Sequence, residues 1–324
     1  MQPFTDAPLQ RIAVVGAGFM GCVIAAIYAR YGYAVTLSDS NPSALLTFRE
    51  RTLPIAHGMA TSGVTAQDIV DRVQIAATLS EGISGAQLVH EVVQEDLVVK
   101  QVLFAELDRL CAPDVVLATN TSSYLLSHLC RDVVHKGRVI GIHYITPAHV
   151  VRVVELVVAD FTPSALIDWA RSFLLAIDRT AVVCREKPGF IVNRIQLAML
   201  SEIHRMVGEG LATPADIDAA VRLSLGPRWA LWGALACEDL MASKRTGLAI
   251  LEYMHAQTGQ EHFRPSEALR TLVEDGRIGA AAGAGWHSWD SPYADVVIDR
   301  DRQLSDLLAW LSERSGASLN VLTR

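Results

Sequence analysis

The sequence predicts an α/β fold, with a doubly wound, mostly parallel sheet over residues 1–186 and an all-helical domain over residues 187–324. Three observations carry this. Between Arg11 and Cys184, short apolar runs alternate with helical stretches, the pattern of a parallel sheet with crossover helices. After Lys187 the runs stop and helical periodicity takes over. The first run is followed at once by glycines at positions 16, 18 and 21 and then by helix formers.

Candidate strands, in order, are Ile12–Val15, Ala34–Leu37, Leu88–Val93, Val115–Ala118, Val139–His143, Val151–Val157 and Thr180–Cys184. Their continuous apolar character marks strands buried on both faces. Between the first two, Met20 to Arg30 carries helix formers, with no Pro and no Gly beyond Gly21. In the second part, Gly189 to Val207 reads as one long helix, and Thr213-Pro214 as an N-cap followed by Pro at the first helical position. Helical periodicity continues through Leu231–Ala256, Pro265–Glu274 and Arg300–Arg314, while Gly279–Gly285 reads as a turn.

Composition narrows the function. A chain of 324 residues with 51% apolar and 19% charged residues has enough material for two packed domains. A net charge of −7 without a basic cluster argues against nucleic acid or an anionic membrane surface as partner. No apolar run reaches the roughly 18 residues of a membrane span. Met1 to Gln10 has neither a basic nor an apolar signal region, so a cytoplasmic location is expected. Five scattered cysteines without a C-x-x-C read as reduced thiols, and His and Cys never cluster at metal-ligand spacing, so no metal site is expected.

The glycine turn is the first chemical signal. In a dinucleotide fold Gly16 makes the turn, Gly18 lets backbone N–H groups approach the pyrophosphate, and Gly21 lets helix and strand pack closely. The helix N-terminus then holds the negative charge. Asp39 ends the second strand eighteen residues past Gly21, the place from which a carboxylate bonds the adenosine ribose. A carboxylate there repels a 2′-phosphate, and Ser38 and Ser40 offer no guanidinium, so NAD is favoured over NADP. Flavin proteins share the fingerprint, and a ligand-free structural turn is the alternative.

A second constellation lies at the predicted carboxyl ends of the strands, where ligands of open α/β sheets bind. "ATNTSS" places Ser122 there, "IGIHYITP" places His143, Glu155 follows in the next strand, and "EKPGFIVNR" places Asn193 at the start of the long helix. Oxidising a hydroxyl needs a base that ordinarily titrates near neutrality, and histidine is the natural one. A carboxylate on its other nitrogen fixes the tautomer and stabilises the imidazolium. Ser122 and Asn193 would donate to the substrate oxygen. A purely structural His143–Glu155 pair, and Ser122-Ser123 as a helix cap, are the alternatives from the residues alone.

With "GAGFMG", "EVVQEDLVVKQVLF", "NTSS", "GIHYITP…VELV", "KPGFIVNR" and "RPSEALRTLVEDGRIG" in place, the chain resembles the 3-hydroxyacyl-CoA dehydrogenases over nearly its whole length. The intervals of 21, 12 and 38 residues between Ser122, His143, Glu155 and Asn193 match that family. The resemblance implies a Rossmann-type NAD domain and a helical domain for substrate and dimerisation. It makes His143 the catalytic base, Glu155 its orienting partner, and Ser122 and Asn193 substrate contacts. Cofactor contacts would come from Gly16, Gly18, Phe19, Met20, Gly21, Asp39, Glu95, Lys100 and Asn120. It also implies a cytoplasmic homodimer in fatty acid metabolism.

Departures bear on the substrate. Thr146 stands where the family usually has Asn, and Ala281 where it usually has Lys. Asn41 to Val99 holds no lysine, although members that use coenzyme A grip its phosphate from this region; Arg49 and Arg51 are the substitutes. "LGPRWALWGAL" and the extra C-terminal helix resemble a neighbouring branch that acts on free acids, L-gulonate and L-carnitine. Trp229 and Trp232 read as core packing or as walls of a pocket for a quaternary ammonium. The expectation is an NAD-dependent interconversion of an L-3-hydroxyl and a 3-keto group, with a 3-hydroxyacyl-CoA first and a free 3-hydroxy acid close behind. A non-catalytic NAD-binding protein is the remote alternative.

Overall fold

The computed structural model describes residues 9–318; most of the N-terminal stretch read as signal-free lies outside the described residues. The chain divides into two compact units, Met1–Met199 and Leu200–Arg324.

The described residues of the first unit form eight strands: β1 (Arg11–Val15), β2 (Ala34–Ser38), β3 (Val73–Ile75), β4 (Leu88–Glu91), β5 (Val116–Thr119), β6 (Val139–Tyr144), β7 (Val153–Val158) and β8 (Thr180–Arg185). They lie in the order β3-β2-β1-β4-β5-β6-β7-β8. All neighbours are parallel except β6 and β7. Alternate residues of β1 face opposite ways: Ile12 and Val14 join one core, Ala13 and Val15 the other. Both faces are therefore covered, which explains why these strands read as unbroken apolar runs.

Two features depart from the sequence reading. β3 was not expected, because "VQI" has only three residues, two of them exposed, and so leaves no apolar run. The reversal at β7 follows from a short connection: residues 145–152 are too few for a parallel crossover, which takes a dozen or more.

Helix Phe19–Arg30 packs nearly its whole circumference, with Gly21 through Ala29 all buried. Its Ala- and Ile-rich sequence suits a helix held between the sheet and the helix Phe48–His57. The strand order changes direction beside β1, and the carboxyl ends of β1, β4, β5 and β6 open on the side where the glycine turn lies.

The regular elements among the described residues of the second unit are helices. Thr213 caps Pro214–Ala220 by accepting from the Asp216 N–H, as its sequence suggests. Gly226–Met241 breaks at Gly233, whose φ is 74°. Lys244–Thr258, Glu267–Glu274 and Tyr293–Ser318 follow. The Gly279–Gly285 turn closes on buried Asp239, which accepts hydrogen bonds from the backbone of Trp286 (3.0 Å) and His287 (2.9 Å) and pairs with Lys244. A Cβ on Gly285 would lie 2.1 Å from Asp239 Oδ1, so only glycine lets this turn close.

Candidate active site

The three glycines have distinct surroundings. Gly16 adopts φ +111°, and a Cβ there would lie 2.5 Å from the Val92 carbonyl oxygen. A Cβ on Gly21 would lie 1.8 Å from the Gly16 carbonyl oxygen. Both positions need glycine for close packing. At Gly18 a Cβ would meet nothing within 4 Å. Its backbone is exposed at the uncapped N-terminus of Phe19–Arg30, open to an anion. Phe19 is 57% exposed beside it, and Thr146 Oγ1 donates to Met20 Sδ across 3.4 Å.

Asp39 ends β2 beside this turn. Its Oδ2 accepts from the Ala17 N–H at 2.6 Å and its Oδ1 from the Asn41 N–H at 2.7 Å. It also lines a cavity of about 600 Å³ with Val15, Pro42, Leu79, Val98 and Val102. The walls are mostly apolar, with Ser38, Ser40, Thr78 and Glu106 as polar lining besides Asp39, a mixture that fits an adenosine. Val98 and Val102, 67% and 64% exposed, are otherwise out of place on a helix surface. The turn, the open Gly18 amide and this cavity together fit NAD.

The antiparallel reversal brings His143 and Glu155 together. His143 and Glu155 are register partners on β6 and β7. His143 Nδ1 lies 2.7 Å from Glu155 Oε2, with side-chain exposures of 5% and 0%. The other Glu155 oxygen accepts from the Ile191 and Val192 N–H groups at 2.9 and 2.8 Å. Burial raises the Glu155 carboxyl, but the His143 bond and the two backbone bonds outweigh it and hold the group below its ordinary value. An ionised Glu155 requires a proton on Nδ1, which leaves Nε2 as the basic atom of His143. Phe190 packs edge-on against the imidazole, with ring centroids 5.6 Å apart.

Glu155 thereby also seats the helix Val192–Gly208. Asn193, in its first turn, donates from Nδ2 to the Ser122 carbonyl oxygen at 3.1 Å. His143, Glu155, Asn193 and Ser122 are thus linked through short hydrogen bonds and one helix terminus. Asn120 Oδ1 accepts from the Tyr144 N–H at 2.9 Å, which ties the end of β5 to β6 beside His143.

Glu95 and Lys100 do not act alike. Glu95 is half-exposed and accepts from Thr121 Oγ1 (2.6 Å) and the Ser122 N–H (2.9 Å). Burial raises its carboxyl, but Thr121, Lys100 and Ser122 together lower it further than burial raises it. Lys100 does not reach the surface. It is 1% exposed, with Nζ 2.6 Å from Glu91 and 3.3 Å from Glu95. Its ammonium is consumed in positioning Glu95, because a buried cation must be paired.

Glu91 was not among the expected site residues. It is fully buried, its second oxygen accepts from Thr119 Oγ1 at 2.6 Å, and burial pushes its carboxyl up in spite of Lys100. A charged residue inside the apolar "LVHEVV" run was the available signal, since such a strand position demands a partner. The arginines expected to hold a CoA phosphate are engaged elsewhere: Arg49 pairs with Asp71 at 2.5 Å, and Arg51 donates to the carbonyls of Ala17 and Ala44 at 2.8 and 2.6 Å.

The chain is similar to known proteins. Residues 11–187 match the family model described as 3-hydroxyacyl-CoA dehydrogenase, NAD binding domain, and residues 189–289 the one described as its C-terminal domain. The chain is 31% identical to a probable 3-hydroxybutyryl-CoA dehydrogenase of Bacillus subtilis, over 87% of this chain and 98% of that one. It is also 31% identical to L-carnitine dehydrogenase of Streptomyces griseus, over 94% of this chain and 91% of that one. The crystal structure of a 3-hydroxyacyl-CoA dehydrogenase from Archaeoglobus fulgidus superposes with a TM-score of 0.78 at 29% identity, covering 94% and 99% of the two chains. The chain belongs to the 3-hydroxyacyl-CoA dehydrogenase family and is an NAD-dependent dehydrogenase of 3-hydroxy substrates.

Proposed function

We propose that the protein interconverts an L-3-hydroxyacyl-CoA and its 3-keto form, with His143 as general base. The observation that carries this reading is the 2.7 Å contact of His143 Nδ1 with Glu155. That contact leaves Nε2 to take the hydroxyl proton as the alcohol is oxidised. Bound NAD supplies the hydride acceptor, its nicotinamide C4. Glu155 stabilises the imidazolium formed on proton transfer and returns it to the same tautomer. Asn193 and Ser122 orient the substrate oxygen toward Nε2. Gly18 and Asp39 hold the pyrophosphate and ribose, and Glu95, braced by Lys100, positions Ser122 through its N–H.

A free 3-hydroxy acid is the second reading. The match to L-carnitine dehydrogenase reaches further along this chain than the match to the Bacillus enzyme, 94% against 87%. The engagement of Arg49 and Arg51 also removes two candidate grips for a CoA phosphate. An NADH-absorbance screen of acetoacetyl-CoA against free 3-keto acids decides between them; turnover of the free acids alone would contradict the thioester reading.

We further infer a cytoplasmic homodimer acting in fatty acid metabolism, its helical domain serving substrate and dimerisation. Leu211, Leu223, Leu235, Ile250 and Tyr253 are all at least half exposed in the second unit, apolar surface that a second copy would cover. Light scattering on the purified chain tests the dimer, and a monomer would contradict it.

A further inference from the structure

We propose that Arg51 is a positioning residue for the cofactor's pyrophosphate, acting through the Ala17–Gly18 peptide. The proposal deepens the reading of the glycine turn as the NAD cradle and rests on it. Ala17, in the middle of Gly16-Ala17-Gly18, is fully buried and gripped on both sides by charged groups. Asp39 Oδ2 accepts from its N–H at 2.6 Å, and Arg51 Nη2 donates to its carbonyl oxygen at 2.8 Å. Arg51 is itself fixed by the Ala44 carbonyl at 2.6 Å and the Thr47 hydroxyl at 3.1 Å.

In a trans peptide the C=O and N–H point in opposite directions. Anchoring the Ala17 carbonyl on Arg51 therefore aims the Gly18 N–H away from Arg51, at a residue that is exposed and where even a Cβ would meet nothing within 4 Å. Among the described residues that N–H meets no acceptor. A guanidinium on the carbonyl also polarises the same peptide and strengthens its N–H as a donor. Its charge adds to the positive end of Phe19–Arg30, whose cap Gly18 has no side chain to contribute. The Asp39 carboxylate acts on the preceding peptide and keeps the turn from rotating under the pull of Arg51.

The consequence separates phosphate from nucleoside. Arg51 should matter for ligands that place a phosphate on Gly18, and not for adenosine in its cavity beside Asp39. The test is binding of NADH by its fluorescence to the full chain, with ADP-ribose and adenosine as competitors, for wild type, Arg51→Met and Arg51→Lys. The methionine variant should weaken NADH and ADP-ribose by roughly three- to tenfold, the worth of one well-aligned hydrogen bond, and leave adenosine unchanged. Arg51→Lys, with a single-point cation, should fall in between. If Arg51→Met fails to fold, the lysine variant alone must show the same split. Wild-type affinity for NADH in the variants, or equal loss for adenosine and NADH, would overturn the proposal. Failure of the wild type to bind NADH would instead contradict the cofactor reading.

Discussion

His143 and Glu155 face each other as register partners on the one antiparallel strand pair of the sheet, Nδ1 2.7 Å from Oε2. The same carboxylate accepts two backbone N–H groups at the start of the helix that carries Asn193. Glu155 therefore does two jobs, one for the imidazole and one for the helix.

Replacing it separates those jobs. In Glu155→Gln the amide oxygen can keep the Ile191 and Val192 bonds while its NH₂ faces Nδ1. That forces the imidazole proton onto Nε2 and removes the base. Turnover in the oxidation direction should fall by about a factor of 10² or more, because the base is gone and the imidazolium has lost its counter-charge. An unaltered rate and pH profile, measured by NADH formation, would leave Glu155 with only its structural job.

The lowered carboxyls set a direction for stability against pH. Burial acts to raise Glu155, Glu95 and Asp239, but hydrogen-bonded and charged neighbours hold each below its ordinary value in the fold. For such groups the unfolded chain binds more protons, so their contribution is present above about pH 4 and is lost as pH falls through the folded values. Stability measured by denaturant titration should thus drop steadily below about pH 4, and less so in Glu155→Gln. Equal stability at pH 3 and pH 6 would contradict these assignments.

Lys100 offers a test of the buried ion pair. Lys100→Met leaves Glu91 buried without its counter-charge, and should cost about 3 kcal/mol or more of stability. Adding Glu91→Gln should recover much of that, because the uncompensated charge is gone. If the two losses simply add in denaturant unfolding, the pair is not coupled as the 2.6 Å contact requires.

Asp39 is proposed to set the choice of cofactor. Wild type should prefer NAD to NADP, and Asp39→Ser with Ser40→Arg should narrow that preference by replacing repulsion with a phosphate-binding fork. Because Asp39 also holds the Ala17 N–H at 2.6 Å, the double variant should lose some affinity for NAD as well. Equal use of both cofactors by the wild type would contradict the role given to Asp39.

What could be read in the sequence was whatever repeats locally. Strand β1, the Gly16-x-Gly18-x-x-Gly21 turn and the following helix lie within twenty residues, and their periodicity is local, so this strand-turn-helix unit was legible. Strand β3 was not, because an exposed three-residue edge strand needs no apolar run. The intervals among Ser122, His143, Glu155 and Asn193 pointed to the site, but not to the bond between Glu155 and the 191–192 backbone, which only tertiary packing creates. The arginines show the same limit. The resemblance pointed to Arg49 and Arg51 as substitutes for a phosphate-holding lysine, and their geometry gave one to Asp71 and the other to the Ala17 carbonyl.

The most direct test of the account is the rate of NADH oxidation with 3-keto substrates, acetoacetyl-CoA first, compared between wild type and His143→Ala, with NADH affinity measured alongside. His143 is 4% exposed and bonded to Glu155 through Nδ1, so its loss should remove the base and leave the glycine turn, which it does not contact in any hydrogen bond, untouched. Turnover should fall by roughly 10² to 10⁴, the usual worth of a general base, with the Kd for NADH nearly unchanged. Retention of most of the wild-type rate by His143→Ala would contradict the account at its centre.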